Sequence, residues 1–421
     1  MTYSRLLNLV RLGTTLSAFV CTSAVHATTE LNYHEFMQRA LKDNPKVTEA
    51  AIQIQGKGVL VQSVRDSWKP TFSIDGDGTS RSGYSGVSAT ARMPVYTFGK
   101  TDAELNSALR EHSEQQAKYI QTVEEVSEEI TLSYSTNYIL KRKLTVARRN
   151  YADHLQILER SRQRKTAQVV SDAEHRNLEA RTLQAKAKVL ELAKDLNIQH
   201  QRLENYIKAK VDEFLPMEDQ DIQLDPGLAS IDNNPLILLY MAKFELAKAD
   251  IKKAQKIEAP TLDFYVSTNR MGDRMGNPDP HVGLKFNYQF GQAGARSKNA
   301  ESQAVIAAQA SEMALNNARM EAKNKYDQAT QSLTSIEERI KSQRELIDTL
   351  EASSSSTNRL YFAGKKTLLE LLYILRELSD ARLLLVDLEL EKISNSIRAR
   401  SSVGALSAAF NIIAPNAVKK D

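Results

Sequence analysis

Cysteine is almost missing from this 421-residue chain, the single copy being Cys21. That scarcity excludes a disulfide framework and any zinc or redox site built on paired thiols. Aromatic residues make up 6% of the chain, and glycine and proline number 16 and 10. With 26% charged residues beside them, these shortages suit long solvated helices better than a compact enzyme. The formal net charge of +4 comes without a basic tract, so nucleic acid is not expected as a partner. Past the N-terminus no stretch approaches the roughly 18 apolar residues of a membrane-spanning helix. Any part of the chain inside a bilayer must then enter as strands. Catalytic constellations are missing too. The histidines (His26, His34, His112, His154, His175, His200 and His281) have no metal-ligand spacing. There is no phosphate-binding glycine loop and no Gly-x-Ser-x-Gly, while Gly76 and Gly78 belong to a strand end. Neither an enzyme nor a cofactor is expected.

What is present begins with Arg5 and Arg11, an apolar run from Leu12 to Val25, and Val25-His26-Ala27. This pattern predicts a secretory signal over 1–27, cleaved after Ala27. Phe19 and Val20 are too bulky for a lipoprotein cleavage box before Cys21, so no lipid anchor is expected. Cleavage removes two arginines and the thiol, leaving 54 basic against 52 acidic residues in an oxidising compartment.

Self-comparison reveals a repeat. Asn44-Pro45 recurs as Asn234-Pro235, and Pro70 as Pro260, each 190 positions on. Tyr96, Phe98 and Gly99 recur as Tyr288, Phe290 and Gly291, each 192 positions on. The repeat predicts two units, 28–209 and 227–400, joined by an acidic, proline-bounded linker over 210–226 and followed by a tail, 401–421. Each unit reads as a helix, a strand pair, a long helix, a turn and a return helix. Two-residue alternation marks the strands: Val87 to Val95, Leu262 to Val266, Val282 to Phe290, and Phe72 with Ile74 before a run of glycines. Alternation over about ten residues is the pattern of a membrane barrel strand, although a half-buried soluble sheet alternates in the same way. Trp68, Tyr96, Phe98, Tyr288 and Phe290 fall at the helix-side strand ends, where they would form an aromatic girdle at one membrane surface.

Four strands are too few to close a barrel, for which about eight is the minimum. Open edges in a bilayer are not tolerated, so several chains must pool their strands, and twelve leave room for a conduit where eight do not. The helices are long: Thr101 to Lys165 and Ala293 to about Ala352 run without proline. At 1.5 Å per residue the first spans about 95 Å, a coiled-coil length.

The second turn is the most distinctive stretch: Tyr361 to Arg382, YFAGKKTLLELLYILRELSDAR. Gly364 with two lysines marks the turn. Leu368, Leu371, Leu375 and Leu378 then follow at coiled-coil spacing, with Glu370 and Tyr373 off that stripe. Read alone, it is a helical hairpin with a charged tip. The first turn, Thr166 to Arg181 (TAQVVSDAEHRNLEAR), has no glycine.

Signal, duplicated strand pairs, duplicated hairpins and Asn-Pro openings together resemble the TolC family of outer-membrane export channels over essentially the whole mature chain. The resemblance implies an α+β, mostly α fold, with four strands per chain in a twelve-stranded barrel of a homotrimer. It also implies a helical tunnel through the periplasm of a Gram-negative bacterium. The implied partners are a periplasmic adaptor, an inner-membrane ABC or proton-driven transporter, and outer-membrane lipid. By position, Tyr361 and Lys366 are expected to contact Ser171 and Asp172, latching the entrance shut. Glu370 takes the place of the family's acidic ring at the narrowest point, whereas a second ring, three residues on, is replaced by Tyr373. The cargo, protein or small molecule, is left open. The competing reading is a periplasmic coiled-coil scaffold whose strands form a soluble sheet.

Overall fold

The computed structural model describes residues 30–78, 85–218, 230–271, 279–288, 295–408 and 410. The expected signal with Cys21, both strand-hairpin tips, Phe290 with Gly291, most of the linker and the end of the tail lie outside these residues.

A short strand β1 (Glu30–Leu31) leads into helices α1 (Tyr33–Lys42) and α2 (Pro45–Asp66). Strands β2 (Thr71–Gly78) and β3 (Ser85–Tyr96) come next. The long helix α3 (Lys100–Thr166), its return α4 (Asp172–Ile207) and the two-residue β4 (Glu213–Phe214) complete the first unit. The second opens with a 3₁₀ turn (Ile231–Asn233) and α5 (Pro235–Gln255). It continues with β5 (Thr261–Met271), β6 (Asp279–Asn287), α6 (Ala295–Phe362), α7 (Leu368–Ser401) and the single turn α8 (Ala405–Ala408).

The Asn-Pro openings have one physical cause in both units. Asn44 Oδ1 accepts from the Lys46 amide at 2.9 Å, and Asn234 Oδ1 from the Leu236 amide at 2.8 Å. Each asparagine caps a helix whose first residue is proline, preset for helical φ and with no amide to satisfy. The 67 residues of α3 make a rod of about 100 Å. In the second unit the helix continues ten residues beyond the expected end near Ala352, through Ser353 to Phe362. The serine run is not a breaker there: Ile347, Ser354 and Tyr361 keep one face buried at seven-residue steps.

The helices lie side by side. Near the strands α2 packs on α3, α3 on α5, and α5 on α6; at the far end the order is α4, α3, α7, α6. Between these ends sits the largest core, formed by Phe36, Met37 and Leu41 of α1, Ile130 and Tyr134 of α3, Leu203 of α4 and Phe214 of β4. β1 and β4 pair in parallel across it, and the Tyr134 hydroxyl donates to the Leu215 carbonyl at 2.6 Å.

The tail is more ordered than its weak periodicity suggests. Asn234 Nδ2 donates to the Ser402 carbonyl at 2.6 Å, and the Leu406 and Ser407 amides donate to the buried Glu124 carboxylate at 3.1 and 2.9 Å. The C-terminal segment therefore ties the end of α7 to the opening of the second unit and to α3 of the first.

The larger sheet is antiparallel, in the order β2-β3-β5-β6. Its register puts Phe72, Ala91, Val266 and Val282 in one row on one face, and Ser73, Thr90, Ser267 and His281 in the adjacent row on the other. β6 runs over 279–287, so Tyr288 follows the strand instead of ending it.

Candidate functional site: the two hairpin tips and the strand sheet

Among the described residues no helix or layer covers either face of the sheet. Phe72 and Ile74 are 82% and 78% exposed, and Val282, Leu284 and Phe286 stand on the same apolar face, also exposed. Nothing among the described residues pairs with its two edge strands, β2 and β6. A soluble sheet buries one face. This one presents an exposed, largely apolar face, as strands in contact with lipid do. Of the expected girdle, Trp68, Tyr96, Phe98 and Tyr288 stand exposed at the helix-side end. Tyr96 and Phe98 meet edge-on at 4.6 Å, and Phe98 reaches Phe286 at 6.3 Å.

At the opposite end of the rods, the two tips are built alike, residue for residue. At the end of α3, the Gln168 amide donates to the Lys165 carbonyl and the Val169 amide to the Arg164 carbonyl, both at 2.9 Å. At the end of α6, Gly364 donates to Tyr361 and Lys365 to Leu360, at 3.0 and 2.9 Å. Both are Schellman closures, which need a left-handed residue at the turn. Gly364 supplies it in the second tip, with φ 74°, and Gln168 in the first, with φ 58°. The missing glycine thus changes the residue but not the turn.

Each return helix then starts with a capping box. Ser171 Oγ accepts from the Glu174 amide at 3.2 Å and Thr367 Oγ1 from the Glu370 amide at 3.3 Å, while each glutamate reaches back to its cap residue's amide. Ser-x-x-Glu and Thr-x-x-Glu, 196 residues apart, were a signal available in the sequence and passed over.

These caps occupy the residues expected to latch. Lys366 Nζ lies 2.5 Å from Glu370 on its own helix, and Lys165 Nζ lies 2.8 Å from Asp172. Within the chain, the expected contacts of Tyr361 and Lys366 with Ser171 and Asp172 are replaced by these pairings inside each tip. The Lys366 bond, then the Thr367 amide and hydroxyl, pull the Glu370 carboxyl down to about 2. Lys165 likewise lowers Asp172. Tyr361 is buried with Ile157, Leu178, Leu368 and Leu371, and its hydroxyl has no hydrogen-bond partner among the described residues. Glu370 and Tyr373 are exposed while the leucine stripe is buried, and the Tyr373 hydroxyl donates to Glu377 at 2.5 Å.

The side chain that joins the tips is one the sequence reading missed. Arg164 Nη1 donates to the Tyr361 and Phe362 carbonyls at 3.3 and 3.5 Å. Its guanidinium also stacks 5.4 and 5.7 Å from their ring centres, and Arg160 adds a second contact on Phe362 at 5.1 Å. A cation on the last carbonyls of α6 complements that helix's negative end. Nothing local to 160–164 distinguishes these arginines from other surface cations, so only the packing reveals them. Among the described residues no group of His, Cys, Asp or Glu is placed to hold a metal, and no helix is long and apolar enough to cross a membrane.

A bare apolar sheet at one end of rods about 100 Å long, with capped hairpins at the other, defines a class: channel proteins of the outer membrane. The sequence profile of the outer membrane efflux protein family matches residues 36–207 and 229–405, and the chain belongs to that family. No curated protein matches the sequence significantly. Among solved structures, the Vibrio cholerae outer membrane protein VceC is similar with a TM-score of 0.75 at 15% identity, over 88% of this chain and 95% of that one. The Campylobacter jejuni CmeC outer membrane channel is similar with a TM-score of 0.75 at 13% identity, over 96% and 94%. The Neisseria gonorrhoeae MtrE outer membrane channel, in its open state, is similar with a TM-score of 0.72 at 16% identity, over 89% of each chain. Family and fold are those of outer-membrane efflux channels, and the soluble-scaffold reading gives way to them.

Proposed function

We propose that three copies of this chain pool their strands into a twelve-stranded barrel above a periplasmic helical tunnel, through which a tripartite export machine discharges its cargo. The observation that carries this reading is the sheet, apolar, uncovered and open at both edges, which only pooling can close in a bilayer.

The repeat supports a ring of copies and indicates its seam. α5 is held on two flanks: by α6, and by α3 through Ser107, whose hydroxyl donates to Asp250 at 2.7 Å. Among the described residues its counterpart α2 packs along its length on α3 and touches α1 only near its start. The flank equivalent to the second contact carries Ile52 and Val59, 60% and 70% exposed, whereas Ala249, at the position matching Val59, is buried. α6 in turn bears Ile306, Met313 and Met320 on an exposed stripe at seven-residue steps. An antiparallel seam that sets Val59 of one copy beside Ile306 of the next also sets Ile52 beside Met313. Such a contact is head-to-tail, and it ends only when the ring closes.

In the assembled channel, Tyr361 and Lys366 of one tip and Ser171 and Asp172 of another form the latch of the entrance. The Glu370 side chains ring the constriction next to Tyr373, and the tips receive the periplasmic adaptor of an ABC or proton-driven inner-membrane transporter. Trp68, Tyr96, Phe98, Tyr288 and Phe290 form the girdle in the outer membrane. The mature chain has no thiol, so the test is direct: introduce Val59→Cys and Ile306→Cys together and oxidise membranes. Covalent trimers as the end product support the reading. Products that stop at dimers, or a chain that stays monomeric, would overturn it.

A further inference from the structure

A second feature lies behind the second tip, in the groove where α3 is recessed between α4 and α7. It is a pocket of about 380 Å³, within the range of small-ligand sites. Its wall on α7 is apolar, with Leu369, Leu372 and Tyr373. The rim is cationic: Arg181 and Lys188 from α4 and Arg376 from α7, against the single carboxylate of Asp380. Arg181 is braced by Gln184 at 3.0 Å, Lys188 by Glu191 at 3.0 Å, and Arg376 lies over the Tyr373 ring at 5.9 Å. His154 of α3 also lines the pocket. It is more than nine-tenths buried, and its Nδ1 is shielded from solvent with no hydrogen-bond partner among the described residues.

Burial pushes the imidazole pKa down, with Asp153 raising it and Arg181 lowering it again. An imidazole held toward its neutral form at the base, guanidinium groups at the rim and an apolar wall specify one chemistry.

We propose that this pocket binds an amphipathic aromatic anion, its acid group held by Arg181 and Arg376 and its ring laid against Leu372 and Tyr373. In the channel this would hold anionic cargo just behind the tips, a role that rests on the channel reading; the binding itself needs only the single chain.

The probe is 2-naphthoate, titrated calorimetrically into the full mature chain in amphipol, with neutral 2-naphthamide and cationic 2-naphthylmethylammonium as comparators. One naphthoate per chain is expected, bound at least tenfold more tightly than either comparator. Arg181→Gln with Arg376→Gln should weaken it at least tenfold. On the unaltered chain, naphthoate should shift the ¹⁵N resonance of the His154 ring. Equal affinity for all three probes, an unmoved His154 resonance, or full affinity in the double variant would overturn the proposal. None of these outcomes bears on the cysteine cross-link, so the two readings fail separately.

Discussion

Gln168 and Gly364 hold the same left-handed position in two turns 196 residues apart, with φ of 58° and 74°. The residues flanking them make the same amide-to-carbonyl bonds. One turn is therefore built with its preferred residue and the other with a strained one.

That asymmetry predicts opposite responses to substitution. A side chain in the left-handed region costs about 1 kcal/mol. Nothing lies within 4 Å of a Cβ placed on Gly364, so Gly364→Ala should lose about that amount through backbone strain alone. Gln168→Gly should instead stabilise the first tip by some tenths to about 1 kcal/mol, partly offset by the greater entropy of the unfolded chain. Amide hydrogen exchange at 164–171 and 360–367 reads each tip on its own. Slower exchange in Gly364→Ala would contradict the account.

Arg164 is expected to hold the tips together. Arg164→Ala removes two hydrogen bonds to the end of α6 and the contacts with two aromatic rings. The loss should be on the order of 1–3 kcal/mol at the tip, with higher single-channel conductance as the hairpins separate. Arg164→Lys should restore little, because an ammonium cannot both fork to two carbonyls and stack. Conductance unchanged in both variants would remove Arg164 from the gate.

The units, the strand faces and the tip positions were legible in the sequence because each follows from local pattern. Alternation sets the strand face, Asn-Pro starts a helix, and a leucine stripe marks a buried seam. Two things were not legible. The first tip lacked its glycine, and glutamine in a left-handed turn gives no compositional sign. Arg164 and Arg160 looked like solvated charges, since their role depends on where residues almost 200 positions away come to rest. The latch pairing is not formed within the single chain for a related reason: Lys366 and Asp172 each have an opposite charge nearer in their own tip.

Glu370 supplies a prediction in pH. Its folded pKa of about 2 lies below the ordinary carboxylate value of 4.5. A depressed carboxylate contributes stability that is present above its unfolded pKa and lost as pH falls through the folded one. The capping contribution of this side chain should hold at neutral pH and fade between about pH 4.5 and 2. The first-named cause is the Lys366 bond, so Lys366→Ala should bring the Glu370 titration back toward 4.5, as followed by carboxyl NMR. The pair also bears on ion selectivity, because a carboxylate bound to its own lysine presents less net charge to the pore. Glu370→Gln should lower cation preference, and Lys366→Ala should raise it. Matching reversal potentials in the two variants would mean that Glu370 does not face the conduit.

Glu124 tests the C-terminal tie. Its carboxylate is buried on α3 and accepts the amides of Leu406 and Ser407, while the neighbouring Glu128 accepts from the Ser401 hydroxyl at 2.6 Å. Burial raises the Glu124 pKa and the two amides lower it in part. A raised carboxylate pKa reverses the sign found at Glu370: the folded state takes up the proton more readily, so this site opposes folding increasingly as pH rises through the folded pKa. Replacing it still removes the acceptor of two amides of the last turn. Glu124→Ala should release the segment from Ser402 onward, at a local cost of about 2–3 kcal/mol. Trypsin should then cut after Arg398 or Arg400 while α3 stays intact. Gly404→Ala should reach the same end by another route, since its added Cβ would meet the Asn233 carbonyl at 2.9 Å in a backbone already at φ 70°. Two unrelated substitutions that expose the same arginines would establish that the tail is a clasp between the two units. If neither exposes them, α7 and its own seam with α6 hold this end without it.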